Sequence, residues 1–150
     1  MLVRMENNAA SSEPLETDES WTLLMRSGLG RLATAAGSQA DIFVVNYLVH
    51  DRTILFRSAP GVKLVEIDEA PVVAFEVDGH DDHRYWSVVI RGTAEHMTDQ
   101  KEITRSGVQE LVSWSPSDKQ EFVRIVPIAV TGRTVGRAQF GRSNLFGWAG

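Results

Sequence analysis

The residues best suited to chemistry in this chain lie at one turn, in the segment Phe56-Arg57-Ser58-Ala59-Pro60-Gly61-Val62-Lys63. A strand is predicted to bring Arg57 and Ser58 to this turn, and a short helix carries Lys63 in its first turn. A guanidinium can hold two phosphate oxygens, a glycine allows close backbone approach, and free N–H groups at a helix start favour an anion. The segment therefore indicates a phosphate site, against the alternative of two solvated cations at an ordinary strand–turn–helix.

Two other motifs are weaker candidates for a functional site. Gly28-x-Gly30-x-x-Ala33 has the letters of a dinucleotide fingerprint, but that fingerprint needs a strand before it and a helix after it, and here the order is reversed. His80-Asp81-Asp82-His83 is interpreted as a solvated polar loop, so no metal site is predicted. The chain has no Gly-x-Ser-x-Gly elbow, and its four histidines are candidates by side-chain type alone. No catalytic acid, base or nucleophile is nominated.

Composition limits the class of protein. The 150 residues suit one domain, and the absence of cysteine excludes disulfides and thiolate metal sites. Because no apolar run reaches the length of a membrane span and no signal peptide is apparent, a cytoplasmic protein without a membrane partner is expected. The net charge of −5 argues against nucleic acid. Residues 1–20 hold five of the acids and one arginine, so the remainder is nearly neutral and compatible with a single bound phosphate.

The elements that must position the turn are mostly strands. We expect a disordered leader over 1–14, a domain over 15–134 and a basic, aromatic tail over 135–150. A first helix is predicted from an N-cap at Thr17 to Gly28, a short one over 63–69, and a third from Thr98-Asp99 to about Trp114. The predicted strands are 29–36, 42–49, 53–58, 72–77, 85–97 and 122–134, the last with a bulge or an edge position at Pro127.

Six strands at hairpin-like spacing with few helices predict a mostly β fold, an antiparallel barrel in place of a βαβ array. A barrel of this size must close or cover its edges. Dimerisation is the usual way for so small a barrel to form a deep ligand cleft.

A series of short blocks in consistent order across residues 17–134 carries a family resemblance. The blocks are Leu29-Gly30-Arg31-Leu32-Ala33-Thr34, Val45-Asn46-Tyr47, Ile54-Leu55-Phe56-Arg57-Ser58 with Gly61-x-Lys63, Phe75-Glu76-Val77-Asp78, Trp86-Ser87-Val88 with Arg91-Gly92, and Thr131-Gly132-Arg133. Together they resemble the pyridoxamine 5′-phosphate oxidase-like FMN-binding split-barrel family, in its nitroimidazole-reductase-like branch.

The resemblance implies a six-stranded antiparallel split β-barrel, a homodimer, and FMN at the dimer interface. It further implies an oxidoreductase acting on a small organic acceptor. The FMN phosphate would be held by Arg57, Ser58 and Lys63, and the isoalloxazine ring would lie along Val45, Asn46 and Tyr47. The remaining expected cofactor contacts are Phe56, Gly61, Leu64, Trp86 and Ser87. Trp86 and Ser87 would approach the flavin near the start of the long strand, from the partner subunit, and the alternative for Trp86 is an aromatic residue at the barrel end without a flavin contact.

The chain departs from true pyridoxamine-phosphate oxidases, which are longer and end in an Arg-x-His motif that is absent here, and this argues against vitamin B6 oxidation. One alternative is a reductase that uses the deazaflavin coenzyme, with Arg133, Arg137 and Arg142 holding its acidic extension. A non-catalytic flavin-binding or storage protein is another. A barrel that binds nucleic acid through its basic tail is disfavoured by the acidic remainder of the chain.

Overall fold

A computed structural model describes residues 12–113 and 120–136 of the chain. Its strands are β1 (Ser12–Pro14), β2 (Leu29–Ala36), β3 (Gln39–Asn46), β4 (Leu48–His50), β5 (Thr53–Ser58), β6 (Val72–His80), β7 (Arg84–His96) and β8 (Glu121–Gly136). Its helices are α1 (Thr17–Arg26), α2 (Val62–Glu69) and α3 (Gln100–Ser106), and a 3₁₀ turn follows at Val108–Glu110. In this part of the chain no helix is long and apolar enough to cross a membrane.

All strands belong to one sheet whose pairings are antiparallel throughout. The order is β3-β2-β6-β7-β8-β5-β4, and β1 pairs with β8. Strands β3 and β4 stand at opposite ends of this order, yet only Tyr47 separates them along the chain. The sheet must therefore curl until its two ends meet. The predicted mostly β, antiparallel barrel is confirmed, with six long strands supplemented by the short β1 and β4.

The inner face of the curled sheet forms the main core. Phe75 on β6 has no exposed surface and packs edge-on against Tyr47, with ring centroids 5.0 Å apart. Helix α1 covers one end through Trp21 and Leu24, since residues three apart share one face of a helix. A smaller cluster beneath α3 contains Leu55, Met97, Ile103 and Val108.

Gly30, the middle residue of the rejected dinucleotide motif, has a packing role. Helix α1 precedes it and Gly30 itself lies in strand β2, the order that the sequence predicted. A Cβ at Gly30 would lie 2.2 Å from the ring of Phe75, so only glycine lets the ring pack against the strand.

The outside of the sheet also carries exposed apolar residues. We name as the outer apolar face the apolar members of the outward-pointing positions of β2, β3, β6 and β7, which lie beside Arg31, Glu76 and Arg91. Ile42 is 71% exposed and Val44 45% exposed, although both lie in the middle of a strand. Cross-strand pairs place Ile42 beside Ala33, and Ala33 beside Ala74. The face comprises Ala33, Ile42, Val44, Val72, Ala74 and Val89.

Three boundaries differ from the sequence prediction. The leader is not disordered throughout 1–14, because Ser12–Pro14 pairs with Arg133–Val135 of β8. The predicted strand 42–49 is broken at Tyr47, where the chain passes from one sheet end to the other. The third helix does not reach Trp114, which lies outside the described residues. Gly107 adopts a left-handed conformation (φ 81°) and ends the helix after Ser106.

Of the two predicted helix caps one is confirmed and one is wrong, and the predicted bulge at Pro127 is confirmed. Asp99 caps α3 as expected, its carboxylate accepting from the backbone N–H of Lys101 at 3.0 Å. Thr17 is not an N-cap, since the helix already includes it and Glu16 occupies the cap position without a side-chain bond. The bulge expected at Pro127 is confirmed: Gly92 pairs with Pro127 and Arg91 with Ala129, so one residue of β8 is extra.

Candidate functional site

A cleft of about 440 Å³ opens where the β5–α2 turn faces the end of strand β3. One wall is the turn itself, the other is strand β3 from Ile42 to Asn46, and residues 112–113 border the opening. The lining residues are Ile42, Phe43, Val44, Val45, Asn46, Arg57, Ser58, Ala59, Pro60, Gly61, Val62, Lys63, Val112 and Ser113. The turn singled out by the sequence thus forms one side of a cavity.

Arg57 is held in place by neutral acceptors. Its Nε donates to Oε1 of Gln120 at 3.2 Å, and its Nη1 donates to the carbonyl oxygen of Gln109. Within residues 12–113 and 120–136 it makes no ion pair with a carboxylate, unlike Arg31, Arg52, Arg84 and Arg124. The guanidinium is therefore oriented, while its charge is left available to a ligand.

Lys63 and Ser58 adjoin Arg57 in the cleft. Ser58 is buried, and its Oγ lies 3.5 Å from Nζ of Lys63 and 3.0 Å from the carbonyl oxygen of Ala59. The ammonium also lies 5.4 Å from the centre of the Phe43 ring on β3. Burial lowers the pKa of Lys63, because desolvation disfavours the charged form. A bound anion would supply the counter-charge that the described residues do not.

The start of helix α2 adds backbone donors. Gly61 occupies its cap position, no side chain caps it, and its first turn holds no acidic residue. The first intrahelical bond runs from the N–H of Val65 to the carbonyl of Gly61, so the N–H groups of residues 62–64 have no partner within the helix. A Cβ at Gly61 would meet nothing within 4 Å. Packing therefore does not require glycine here, and the backbone beside the helix start is open to a ligand.

Strand β3 forms the apolar wall. Val45 is 2% exposed, and the side-chain amide of Asn46 donates to the carbonyl of Val112 at 2.9 Å, which joins β3 to the segment after the 3₁₀ turn. The described lining contains no Asp, Glu or His. It can bind and orient a molecule with an anionic group and a flat apolar body.

The structure brings together Val45, Asn46, Arg57, Ser58, Gly61 and Lys63 of the predicted cofactor residues. Tyr47 lies in the core, where its hydroxyl donates to the carbonyl of Leu24 at 2.6 Å and burial raises its pKa to about 12. Phe56 and Leu64 are buried on the same elements. Contacts of Tyr47, Phe56 and Leu64 with a cofactor therefore stay predictions.

Trp86 and Ser87 lie on β7, paired with Gly79 and Asp78 of β6, and neither lines the cleft of its own chain. The indole packs against Gly79, where a Cβ would lie 2.6 Å from the ring. Their approach to the cofactor stays a prediction.

Sequence reasoning missed several residues of the site. Phe43 lies under Lys63, Gln109 and Gln120 orient Arg57, and Val112 and Ser113 border the opening. Apart from Phe43, which belongs to a predicted strand, they come from segments around the third helix, far from the turn in sequence. No motif marks them.

The histidines lie elsewhere. His96 bridges Asp68 and Glu121, at 2.7 and 3.3 Å, and His50 adjoins Asp51. In the predicted polar loop, Asp81 accepts from the backbone N–H groups of His83 and Arg84. Among residues 12–113 and 120–136 no group of three potential ligands could hold a metal ion.

Known proteins share this architecture. A Corynebacterium glutamicum structure, provisionally named a pyridoxamine 5′-phosphate oxidase, is 36% identical with a TM-score of 0.75, over 84% of this chain and 99% of that one. The FAD binding protein from Mycobacterium smegmatis is 37% identical with a TM-score of 0.71, over 83% and 98%. At 13% identity, a Bacteroides thetaiotaomicron protein tentatively assigned to 5-nitroimidazole antibiotic resistance shares the fold, with a TM-score of 0.71 over 84% and 89%.

The match to a family model covers most of the chain. The model, described as pyridoxamine 5′-phosphate oxidase, matches residues 16–134, which begin just before α1 and end within β8. This range includes both walls of the cleft and every strand of the sheet except the short β1. The chain therefore belongs to the pyridoxamine 5′-phosphate oxidase family.

Proposed function

We propose that the protein is a homodimeric flavoprotein that binds FMN in this cleft and transfers electrons to a small organic acceptor. The observation that carries the proposal is the convergence of Arg57, Ser58, Lys63 and the start of α2 on one cavity. Two cations without carboxylate partners among the described residues, a hydroxyl and uncapped N–H groups fit the charge and the oxygens of a phosphate monoester.

The rest of the cleft suits the flavin ring. The β3 wall from Phe43 to Asn46 offers an apolar strand surface next to the anion site. When bound, a flavin supplies the hydride and electron chemistry, so the protein has to bind it, orient it and shield it. The lining fits this division, since its described residues contain no ionisable side chain besides Arg57 and Lys63.

The choice of FMN is tested by the identity of the bound cofactor. The M. smegmatis relative is named for FAD binding, and FAD shares the ring and the first phosphate of FMN. The deazaflavin coenzyme is the other alternative. Release of the ligand from the purified protein, followed by absorbance and mass spectrometry, distinguishes the three. A ligand other than FMN would contradict this part of the proposal.

A cation-removal experiment tests the phosphate site. The double variant R57A/K63A should weaken FMN binding by about 10²- to 10⁴-fold, because each charge-assisted bond is worth roughly 1.5–3 kcal/mol. The matched control K101A/R105A removes the same two residue types from exposed positions on α3. FMN affinity is measured by quenching of flavin fluorescence, and circular dichroism verifies the fold. Equal affinity in both double variants would refute the assignment.

The outer apolar face supports a second copy of the chain as partner. Ile42 and Val44 belong both to that face and to the cleft lining, so a subunit covering the face would also close the cleft. In light scattering, I42D should shift the protein to a monomer and weaken FMN binding. M25D, which places the same charge at an exposed position on α1, should leave the dimer intact. A monomeric wild-type protein would contradict the proposed homodimer.

Turnover distinguishes an enzyme from a flavin carrier. NAD(P)H would donate a hydride to the flavin, and a quinone or nitro acceptor would then take up the two electrons, with one hydrogen from the hydride and one proton from solvent for each two-electron step. Reduction of the bound flavin by NAD(P)H and its reoxidation by the acceptor would support an oxidoreductase. A flavin that NAD(P)H leaves oxidised would favour the storage alternative.

A further inference from the structure

The two elements that form the walls of the cleft, β3 and α2, each carry an acidic residue near Thr34. Glu66 on α2 is 6% exposed, and the hydroxyl of Thr34 on β2 donates to its Oε2 at 2.5 Å. The Oδ2 atom of Asp41 on β3 has no solvent-accessible surface. Within the part of the chain that the structure describes, no group hydrogen-bonds to it. Asp41 stands directly opposite Thr34 in the β2–β3 pair, so the carboxyl groups of Asp41 and Glu66 both adjoin the Thr34 side chain.

Ionising both carboxyl groups in this position is unfavourable, because two like charges would lie close together with little solvent between them. Each has only acceptor oxygens, so a hydrogen bond between them requires a proton on one. Hydrogen bonding to Asp41 raises the pKa of Glu66, desolvation raises it further, and the Thr34 bond opposes both. The other charge acting on Glu66 is that of Glu69, which also raises the pKa, while the Lys63 ammonium is directed to Ser58 and Phe43.

We propose that Asp41 and Glu66 share one proton in the folded protein, and that this proton holds β3 and α2 at the spacing that the cleft needs. They are positioning residues. Asp41 precedes the wall residues Ile42 and Phe43, and Glu66 follows Lys63 by one helical turn. The effect on the anion rests on the function proposed above, whereas the shared proton does not.

Loss of the proton should open the cleft. Two like charges in a solvent-excluded position repel, and the repulsion acts between the strand that carries Phe43 and the helix that carries Lys63. The pKa of Glu66 is higher in the folded protein than in the unfolded chain. The stability that the pair contributes is therefore fully present below the unfolded-state pKa, and it is lost as pH rises through the folded-state pKa.

Unfolding of the flavin-free protein tests the proton. Over the window above pH 4.5 in which only the folded state retains the proton, the unfolding constant of the wild type should rise by up to about tenfold per pH unit. Glu66→Gln should flatten this rise, because an amide donates to Asp41 and accepts from Thr34 without a proton. Asp41→Asn should do the same. Glu69→Gln, which removes one charge from the same helix, should retain it.

The other pH-dependent groups stay in every variant, so the difference in slope between wild type and E66Q isolates the pair. A wild-type slope equal to that of both amide variants would overturn the shared proton. Urea titrations at several pH values between 5 and 9 supply the measurement.

Binding of FMN tests the positioning role. Over the pH range above 4.5 in which the wild type loses the shared proton, it should lose more affinity than E66Q, by up to about tenfold per pH unit, while both retain Arg57 and Lys63. Equal losses in the two proteins would refute positioning even with the proton present. If FMN bound to neither protein at any pH, the proposed function would fail, and the unfolding slopes would still decide whether the proton is shared.

Discussion

Replacing Gly61 with alanine is expected to separate binding from folding. Gly61 lies at the cap of α2, its backbone is extended (φ 164°), and a Cβ there would meet no atom within 4 Å. The new methyl group therefore causes no strain in the protein alone. Because alanine restricts the unfolded chain more than glycine does, the free energy of unfolding should stay constant or rise by about 0.4–1 kcal/mol.

The same methyl group would stand where a phosphate has to approach the N–H groups of α2. Loss of one hydrogen bond to a charged oxygen costs about 1.5–3 kcal/mol, which corresponds to a roughly 10- to 150-fold weaker Kd for FMN. The variant should thus be at least as stable as the wild type and bind distinctly less cofactor.

Urea unfolding of the flavin-free protein and fluorescence titration with FMN measure the two quantities separately. G28A is the matched control, because a Cβ there also meets nothing within 4 Å and the residue does not line the cleft. G30A is the contrast: its Cβ would meet Phe75, and overpacking of this kind costs about 1–3 kcal/mol. If G61A kept the wild-type Kd for FMN, the assignment of this turn to the phosphate would be refuted.

Three further predictions concern the scaffold. F75A should lower the free energy of unfolding by about 3–5 kcal/mol in urea titrations, since the ring is fully buried against Tyr47, and a loss below 1 kcal/mol would contradict this. The pKa of Glu76 is raised to about 7, chiefly by desolvation and then by Asp78, so stability from this group should fall as pH rises through 7. E76Q should flatten that fall in melting temperatures measured from pH 5 to 8, and an unchanged slope would contradict the assignment. D99A should cost about 1 kcal/mol through the lost cap of α3, whereas D99N should restore most of it.

Local signals in the sequence predicted most of the sheet and the binding turn. Alternating and β-branched residues marked all six long strands, and Pro127 marked the bulge of β8. Arg57, Ser58 and Lys63 could be joined into one site because they lie within seven residues, so a single turn determines their relative positions. Short-range geometry was enough for that part of the site.

Contacts between remote elements could not be predicted. Tyr47 stands in a run that reads as one strand, and its burial follows from the closure of the sheet, which no local pattern encodes. Gln109 lies within the third helix that the sequence predicts to run to about Trp114, and Gln120 lies beyond its end. Both hydrogen-bond to Arg57. Asp41 and Glu66 look like ordinary surface acids until strand and helix are brought together.

The pairing of β5 with β8 has a consequence for protein synthesis. Arg57 lies opposite Phe122, so the strand that presents the guanidinium and Ser58 obtains its long-strand neighbour only after 65 further residues have been translated. At roughly 5–20 residues per second, this delay is about 3–13 s. During that interval the local β2–β3 and β6–β7 hairpins can form, whereas the cleft lacks one of its supports. Cofactor capture should therefore follow completion of the C-terminal strand, and a ribosome stalled before residue 120 should carry a nascent chain that retains no flavin.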